Sequence, residues 1–459
     1  MELAEACLIC GSKDLLRVPA VMAEFIRRRC LISGEVTLRR IWCPACDFSF
    51  YDHRLDDAET ERLYRGYRQG PYDRDRIAVE PGYAELAPLF ADRTSAYHTT
   101  RQTQTKALFD AWEVPFRTVL DYGGEPDAWM TRAIFPDREV RAYDLSDASL
   151  PPEGQTFDLV FCAHVLEHVS FPLPFMQSLR PFVRPGGFLY LEVPIEYGEG
   201  SQTNTIRADH PMRLMHEHVS FYSPRALAKL LFLAGFKPLD VRYLGEPHGT
   251  SLAMLACLPE DVSRAGDRLL RHGNLPADEL EALIQVWAFQ SLERHGDAIL
   301  LLEDFLGRHP DHGIALAALA ASMQRLEDPE SAEALLLAAI EADPAYAPSF
   351  LRLSGLCRAK GDMTMARTLL ETGLDQNPTS LPLWRELIGL SAMNRDPRLP
   401  QDAWDALQAV PEGGGGLWHQ IVASALWETR EEARGVLASG LALFPDHAGL
   451  HALQARMDR

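Results

Sequence analysis

The chain has 459 residues, 47% of them hydrophobic and 24% charged, with a formal net charge of −20. That length implies several domains, each able to bury its own core, and no apolar run approaches the roughly 18–20 residues that span a bilayer. The acidity argues against a nucleic-acid partner gripped across the surface, and a start, MELAEACLIC, without the basic and apolar regions of a secretory signal points to a cytoplasmic protein with reduced thiols.

The first chemistry-bearing feature is at the amino terminus. Cys7-Leu-Ile-Cys10 and Cys43-Pro-Ala-Cys46 are two Cys-x-x-Cys knuckles separated by 32 residues. Two residues between paired cysteines let both sulfurs reach one ion, and four thiolates complete a tetrahedral Zn²⁺ site, so residues 1–50 read as a zinc ribbon with a closed structural metal. A redox dithiol needs only one such pair, and coincidental buried cysteines rarely come as two. Cys30, Cys162, Cys257 and Cys357 have no matching spacing and read as small apolar residues. Residues 51–114 are polar, aromatic and locally basic. They read either as a helical wrap with Arg and Tyr stems on the next domain, or as a lid whose Arg65, Arg68, Arg74 and Tyr72 contact substrate.

Residues 117–127, RTVLDYGGEPD, are a β-branched apolar run that ends in Asp121 and breaks into Gly123 and Gly124. Glycines at the carboxyl end of a strand allow a tight turn and a close approach of ligand to backbone. REVRAYDL follows as a second strand ending at Asp144, where doubly wound nucleotide-binding folds place the acid that holds ribose hydroxyls. The strand FDLVFCAHVLEHV comes next, then a helix to Phe182 and the buried strand in RPGGFLYLEVP. SPRALAKLLFLAGF has Ser as N-cap, Pro at the first helical position and a closing Gly, and so predicts a helix. FKPLDVRYLG and GTSLAMLACLP predict an antiparallel pair that closes the domain near residue 259.

In order and spacing, LDYGG, the strand ending YD, FDLVFCAHVLEHV, LRPFVRPGGFLYLEVP and EHVSFYSPRALAKLLFLAGF resemble class I S-adenosylmethionine-dependent methyltransferases. The resemblance covers residues 115–259 and is nearest to the branch with a zinc-binding amino-terminal segment, which includes sugar C-methyltransferases and enzymes of surface-polysaccharide synthesis. It implies a Rossmann-like α/β domain whose Asp121, Gly123, Gly124, Asp144 and Ala163 contact S-adenosylmethionine, with His164 flanking it. It also implies Glu217 and His218 in proton abstraction, with His218 as the first candidate base and His164 or His168 as others. Glu167, His210 and His216 lie past strand ends in the same region. In place of the family's further glycines the turn continues Glu125-Pro126-Asp127, and residues 146–156 are short for the usual helix and third strand.

From about residue 275 to the end the composition shifts to Ala, Leu and Glu, and Pro310, Pro344, Pro378, Pro411 and Pro445 recur at intervals of 34, 34, 33 and 34. That is the tetratricopeptide period. Phe350, Leu353, Gly361, Ala366 and Leu370, and in the preceding unit Leu316, Leu319, Ala332, Leu336 and Ala339, stand at the packing positions. The expected architecture is therefore a zinc ribbon, a methyltransferase sheet and an all-α repeat solenoid that binds a protein, pairs with itself or caps the enzyme. The expected function is methyl transfer to a small polar acceptor, such as a nucleotide- or lipid-linked sugar. The alternative is a non-catalytic adaptor with a degenerate methyltransferase fold.

Overall fold

The computed structural model describes residues 2–34, 36–67, 70–112, 114–143, 154–195, 214–246, 249–259, 272, 274–378, 380–394, 430–443, 445 and 448–457. The chain divides into two compact units. One comprises residues 1–112, 116–265 and 272–292, the other residues 113–115, 266–271 and 293–459.

The strands of the first unit's two larger sheets are β1 (Leu16–Met22), β2 (Leu38–Cys43), β3 (Phe48–Tyr51), β4 (Thr118–Tyr122), β5 (Glu139–Tyr143), β6 (Phe157–Ala163), β7 (Val183–Ile195), β8 (Leu214–Met215), β9 (Ser220–Tyr222), β10 (Lys237–Glu246) and β11 (Gly249–Cys257); Glu2–Leu3 and His53–Arg54 pair separately. Six of them form the central sheet in the order β10-β11-β7-β6-β4-β5. β5, β4, β6 and β7 run parallel and β11 runs antiparallel to β7 and β10. The parallel core strands are apolar on both faces, as strands covered from both sides are; in β6 all of Phe157–Cys162 are buried. No strand lies beyond β5 among the described residues.

The other five strands form a second sheet in the order β8-β1-β2-β3-β9. The amino-terminal Cys-rich segment therefore does not stand alone. Its sheet takes β8 and β9 from the segment between β7 and the helix Pro224–Leu233. Arg54, fully buried, ties the junction: its guanidinium donates to the carbonyls of Ser170 (2.8 Å) and Val169 (2.9 Å) and to Ser220 Oγ (2.7 Å).

The helix expected after Ser223 forms at Pro224–Leu233; Ser223 Oγ accepts from the Ala226 N–H at 3.1 Å, and Gly235 closes it at φ +82°. The long helix Ala96–Trp112 buries His98, Arg101, Thr105, Leu108, Phe109 and Trp112 at helical spacing, so the Arg101 cation is carried inward. Helix Ala277–Ser291 belongs to the first unit, whereas the repeats were expected to start at residue 275.

The second unit is helical. Its described helices run His295–Arg308, Gly313–Arg325, Pro329–Ala342, Ala347–Ala359, Met363–Gln376, Leu381–Asn394, Arg430–Leu443 and Ala448–Met457. Phe350, Leu353, Ala366, Leu370, Ala332, Leu336 and Ala339 are all buried between them. Gly361 instead sits in an exposed turn at φ +83°, which an L side chain adopts only with strain. Pro411 and residues 413–416 lie outside the described residues. No described helix is long and apolar enough to cross a membrane.

Candidate active site

β4, β6 and β7 end on the same edge of the sheet, with Asp121 opposite Phe161 and Ala163 opposite Glu192. Beyond β4 the chain turns at Gly123, whose φ is +84° and whose N–H donates to the carbonyl of Tyr143 at 2.7 Å. That bond places the end of β5 beside the turn; Asp144 itself lies outside the described residues. A Cβ on Gly123 would lie 2.4 Å from Val165 Cγ2, and one on Gly124 would lie 2.2 Å from Asp121 Oδ2. Both positions thus exclude side chains, as a cofactor cradle requires. Burial pushes the Asp121 carboxyl up to about 6, against the pull of a hydrogen bond with Thr131. The larger side chains that follow turn to Arg93, which binds Glu125 (2.8 Å) and Asp127 (2.6 Å) on the exposed surface. The residues present therefore fit S-adenosylmethionine, with main chain at 123–124 and a buried acid beside it.

His164 follows β6 directly, in a left-handed conformation (φ +57°) uncommon for a residue other than glycine. Its Nε2 is 3.0 Å from Glu192 Oε1 and its Nδ1 is 3.5 Å from Glu167 Oε1. Glu192 sits near the carboxyl end of β7, 1% exposed, gripped by Arg101 through Nε (2.9 Å) and Nη2 (3.2 Å) and by the Tyr190 hydroxyl (2.9 Å). Burial alone would raise its pKa, but the Arg101 charge and His164 hold it well below the usual carboxylate range. Glu167 is 2% exposed and close to His164, His168 and His218. Burial opposes its ionisation as well, yet the nearby His164 and the charges of His168 and His218 bring it down to about 2.

Glu217 and His218 lie between β8 and β9 and face different partners. The Glu217 carboxylate accepts from the Tyr72 hydroxyl and from Arg76 Nη1 (2.7 Å), while the His218 ring stands edge-on to His168, 4.8 Å between centroids. His168 Nδ1 is 2.8 Å from the Tyr64 hydroxyl and 3.1 Å from the Glu217 carbonyl. His216 Nε2 meets Glu80 at 2.7 Å. Tyr64, Tyr72 and Arg76 belong to the 51–114 segment, so that segment closes over the 216–218 loop. Of the residues proposed for a lid, Tyr72 is fully buried here, Arg65 pairs with Glu61 on the surface, and Arg68 lies outside the described residues, as does His210.

The four amino-terminal cysteines converge. Their sulfurs lie within 4.8 Å of one another, with Cys7–Cys46 and Cys10–Cys43 each at 3.5 Å. Sulfurs at about 2.3 Å from a tetrahedral Zn²⁺ stand about 3.8 Å apart. The thiol hydrogen bond from Cys46 brings Cys7 down to about 5, while the same contact and burial push Cys46 up.

Reading the sequence alone missed Glu192 and Arg101. A carboxylate inside the apolar run of LYLEVP was the available signal, since buried charges are paired.

With this geometry in place, residues 82–241 match the model of a family described as a methyltransferase domain. The tRNA U34 carboxymethyltransferase of Chromohalobacter salexigens is 28% identical over 211 residues, 41% of this chain and 59% of that protein. The tRNA U34 carboxymethyltransferase of Idiomarina loihiensis is 36% identical over 215 residues, 40% of this chain and 62% of that protein. The ubiquinone biosynthesis O-methyltransferase of Roseobacter denitrificans is 31% identical over 96 residues, 20% of this chain and 39% of that protein. The fold, the glycine turn and these matches define a class I S-adenosylmethionine-dependent methyltransferase domain. This chain contains such a domain, in the company of relatives that transfer carboxymethyl or methyl groups, and spans about three-fifths of the length of the first two.

Proposed function

We propose that the chain transfers a methyl group from S-adenosylmethionine to a small polar acceptor, with a nucleotide- or lipid-linked sugar as the acceptor class. The observation that carries it is the meeting, at one sheet edge, of the Gly123–Gly124 turn and Asp121 with His164, Glu167, His168 and His218. When bound, the cofactor supplies an electrophilic methyl on a sulfonium, and the chain has to align the acceptor and remove its proton. Gly123, Gly124 and Asp121 hold the cofactor, Ala163 flanks it and Asp144 holds its ribose. His218 takes the acceptor proton. His164 is fixed between two carboxylates, and Glu217, bound by Tyr72 and Arg76, anchors the 51–114 segment over the site.

The sugar class is supported by the resemblance of the doubled Cys-x-x-Cys and the EHVSFYSP segment to sugar C-methyltransferases. Cys7, Cys10, Cys43 and Cys46 hold one structural Zn²⁺, and the helices of the second unit are imperfect tetratricopeptide-like repeats that bind a protein partner or a second copy. Calorimetric titration with S-adenosylmethionine and its demethylated product tests the core of this reading; no binding at high micromolar ligand would sink it. Asp144→Ala abolishes binding, while His218→Ala keeps binding and loses turnover. The acceptor screen sets nucleotide sugars against transfer RNA, the substrate in the names of two relatives; methylation of RNA alone would reject the sugar.

A further inference from the structure

The geometry points to a second metal site: Glu167, His168 and His218 form a two-histidine, one-carboxylate site for a divalent first-row transition ion beside the cofactor turn.

Three observations support it. First, one ligand atom from each of these residues lies within 4.8 Å of the others, and His168 Nε2 is 3.7 Å from Glu167 Oε1. Ligand atoms held at about 2.1 Å from one ion stand about 3.0–3.6 Å apart. Second, Glu167 is 2% exposed and neither of its carboxylate oxygens meets a hydrogen-bond partner among the described residues. A buried ionised carboxylate without hydrogen bonds is costly unless a cation sits beside it. His164 Nδ1 stands 3.5 Å and His168 Nε2 3.7 Å from Glu167 Oε1, both longer than an ordinary hydrogen bond.

Third, the outer contacts orient the ligands. His168 Nδ1 lies 3.1 Å from the Glu217 carbonyl, which can only accept, and 2.8 Å from the Tyr64 hydroxyl. A proton on Nδ1 leaves the lone pair on Nε2, the nitrogen that faces Glu167. This is the arrangement in which a metal-binding histidine holds its tautomer by donating through its other nitrogen. His164 repeats it one shell further out, with Nε2 on Glu192 and Nδ1 toward Glu167.

Imidazole and carboxylate together suit Zn²⁺, Fe²⁺ or Co²⁺ better than Mg²⁺. Three protein ligands leave positions open for an acceptor oxygen, and binding to the ion lowers the pKa of that oxygen's proton. The inference deepens the methyl-transfer reading, since the loaded ion takes over from His218 the task of activating the acceptor. Its test reads the ion, so its failure is distinct from failure of that reading.

The test uses the full chain, washed with EDTA and titrated anaerobically with Co²⁺. The wild type takes up one Co²⁺ with weak visible d–d absorption and no thiolate-to-cobalt charge-transfer band, and a 100-fold excess of Mg²⁺ does not displace it. Glu167→Gln and His218→Ala lose this uptake, and Tyr64→Phe weakens it about 10–100-fold. Circular dichroism establishes that the variants fold. Wild type that takes up no Co²⁺, or only Co²⁺ with thiolate bands, overturns the inference whatever the variants do. Equal uptake by folded Glu167→Gln, His218→Ala and wild type overturns it also.

Discussion

Replacing Gly124 by Ala tests the cofactor turn. The added Cβ would stand 2.2 Å from Oδ2, 2.3 Å from Cγ and 2.6 Å from Oδ1 of Asp121. Carbon does not approach an oxygen that closely, so the carboxyl group has to move. It has little room: Asp121 is 7% exposed, lies on a central strand and is hydrogen-bonded to Thr131. Overpacking of this kind costs about 1–3 kcal/mol. If the displaced carboxyl is the group that faces S-adenosylmethionine, the same energy appears as an affinity about 5- to 150-fold weaker. Calorimetry with the cofactor and its demethylated product measures this, and a thermal melt shows whether stability falls in parallel. Gly361→Ala is the control. Its φ of +83° adds a backbone strain that Gly124 does not carry, and nothing lies within 4 Å of its Cβ position, so it lowers stability without touching the cofactor turn. Gly124→Ala binding the cofactor within twofold of wild type would refute the placement of the turn.

Two further outcomes follow from the buried charges. Arg101→Met leaves Glu192 deep in β7 without its guanidinium; removing one partner of a buried pair costs about 3–5 kcal/mol, read as a lower urea midpoint, and an unchanged midpoint would show that the pair is not structural. Asp121 behaves oppositely, because its folded pKa of about 6 lies above the ordinary 3.8. Its penalty is absent below pH 3.8, grows as the pH rises and is complete above about 6, where two pKa units amount to about 3 kcal/mol. Asp121→Asn should therefore raise the melting temperature of cofactor-free protein at pH 8 and leave it unchanged at pH 4; parallel pH profiles for the two proteins would contradict this.

What was legible in the sequence was what is set locally. Gly123 and Gly124 announce a turn because no L residue fits them, and Ser223-Pro224 with Gly235 brackets a helix because each residue meets a backbone requirement at one end. The recurring prolines mark helix ends for the same reason. What was not legible depends on long-range pairing. Nothing in LRRIWC or FSFY says that its sheet takes in Leu214–Met215 and Ser220–Tyr222, far along the chain. The family resemblance offers Glu217 and His218 together for proton abstraction, whereas the Glu217 carboxylate meets Tyr72 and Arg76 and the His218 ring meets His168. The 51–114 segment reads as a wrap or a lid, but nothing in it says that Tyr64 and Tyr72 meet His168 and Glu217.

That shared sheet ties the cysteine cluster to the loop that carries Glu217 and His218. β8 and β9 occupy the two outer positions of the amino-terminal sheet, so both ends of the 216–219 loop are fixed by strands that the cysteine knuckles flank. The Ala23 N–H donates to the Met215 carbonyl at 2.9 Å on one side, and the Val219 N–H donates to the Glu167 carbonyl at 2.9 Å on the other. Arg54 spans the join, and burial lowers its pKa to about 10 without a carboxylate among its hydrogen-bond partners: it is held by carbonyls and a hydroxyl from the segments that carry His168 and His218. A short loop of polar residues has little core of its own and would sample many conformations. Clamped at both ends, it presents His218 to Glu167 and His168 in one geometry, which a proton acceptor or a metal ligand equally requires.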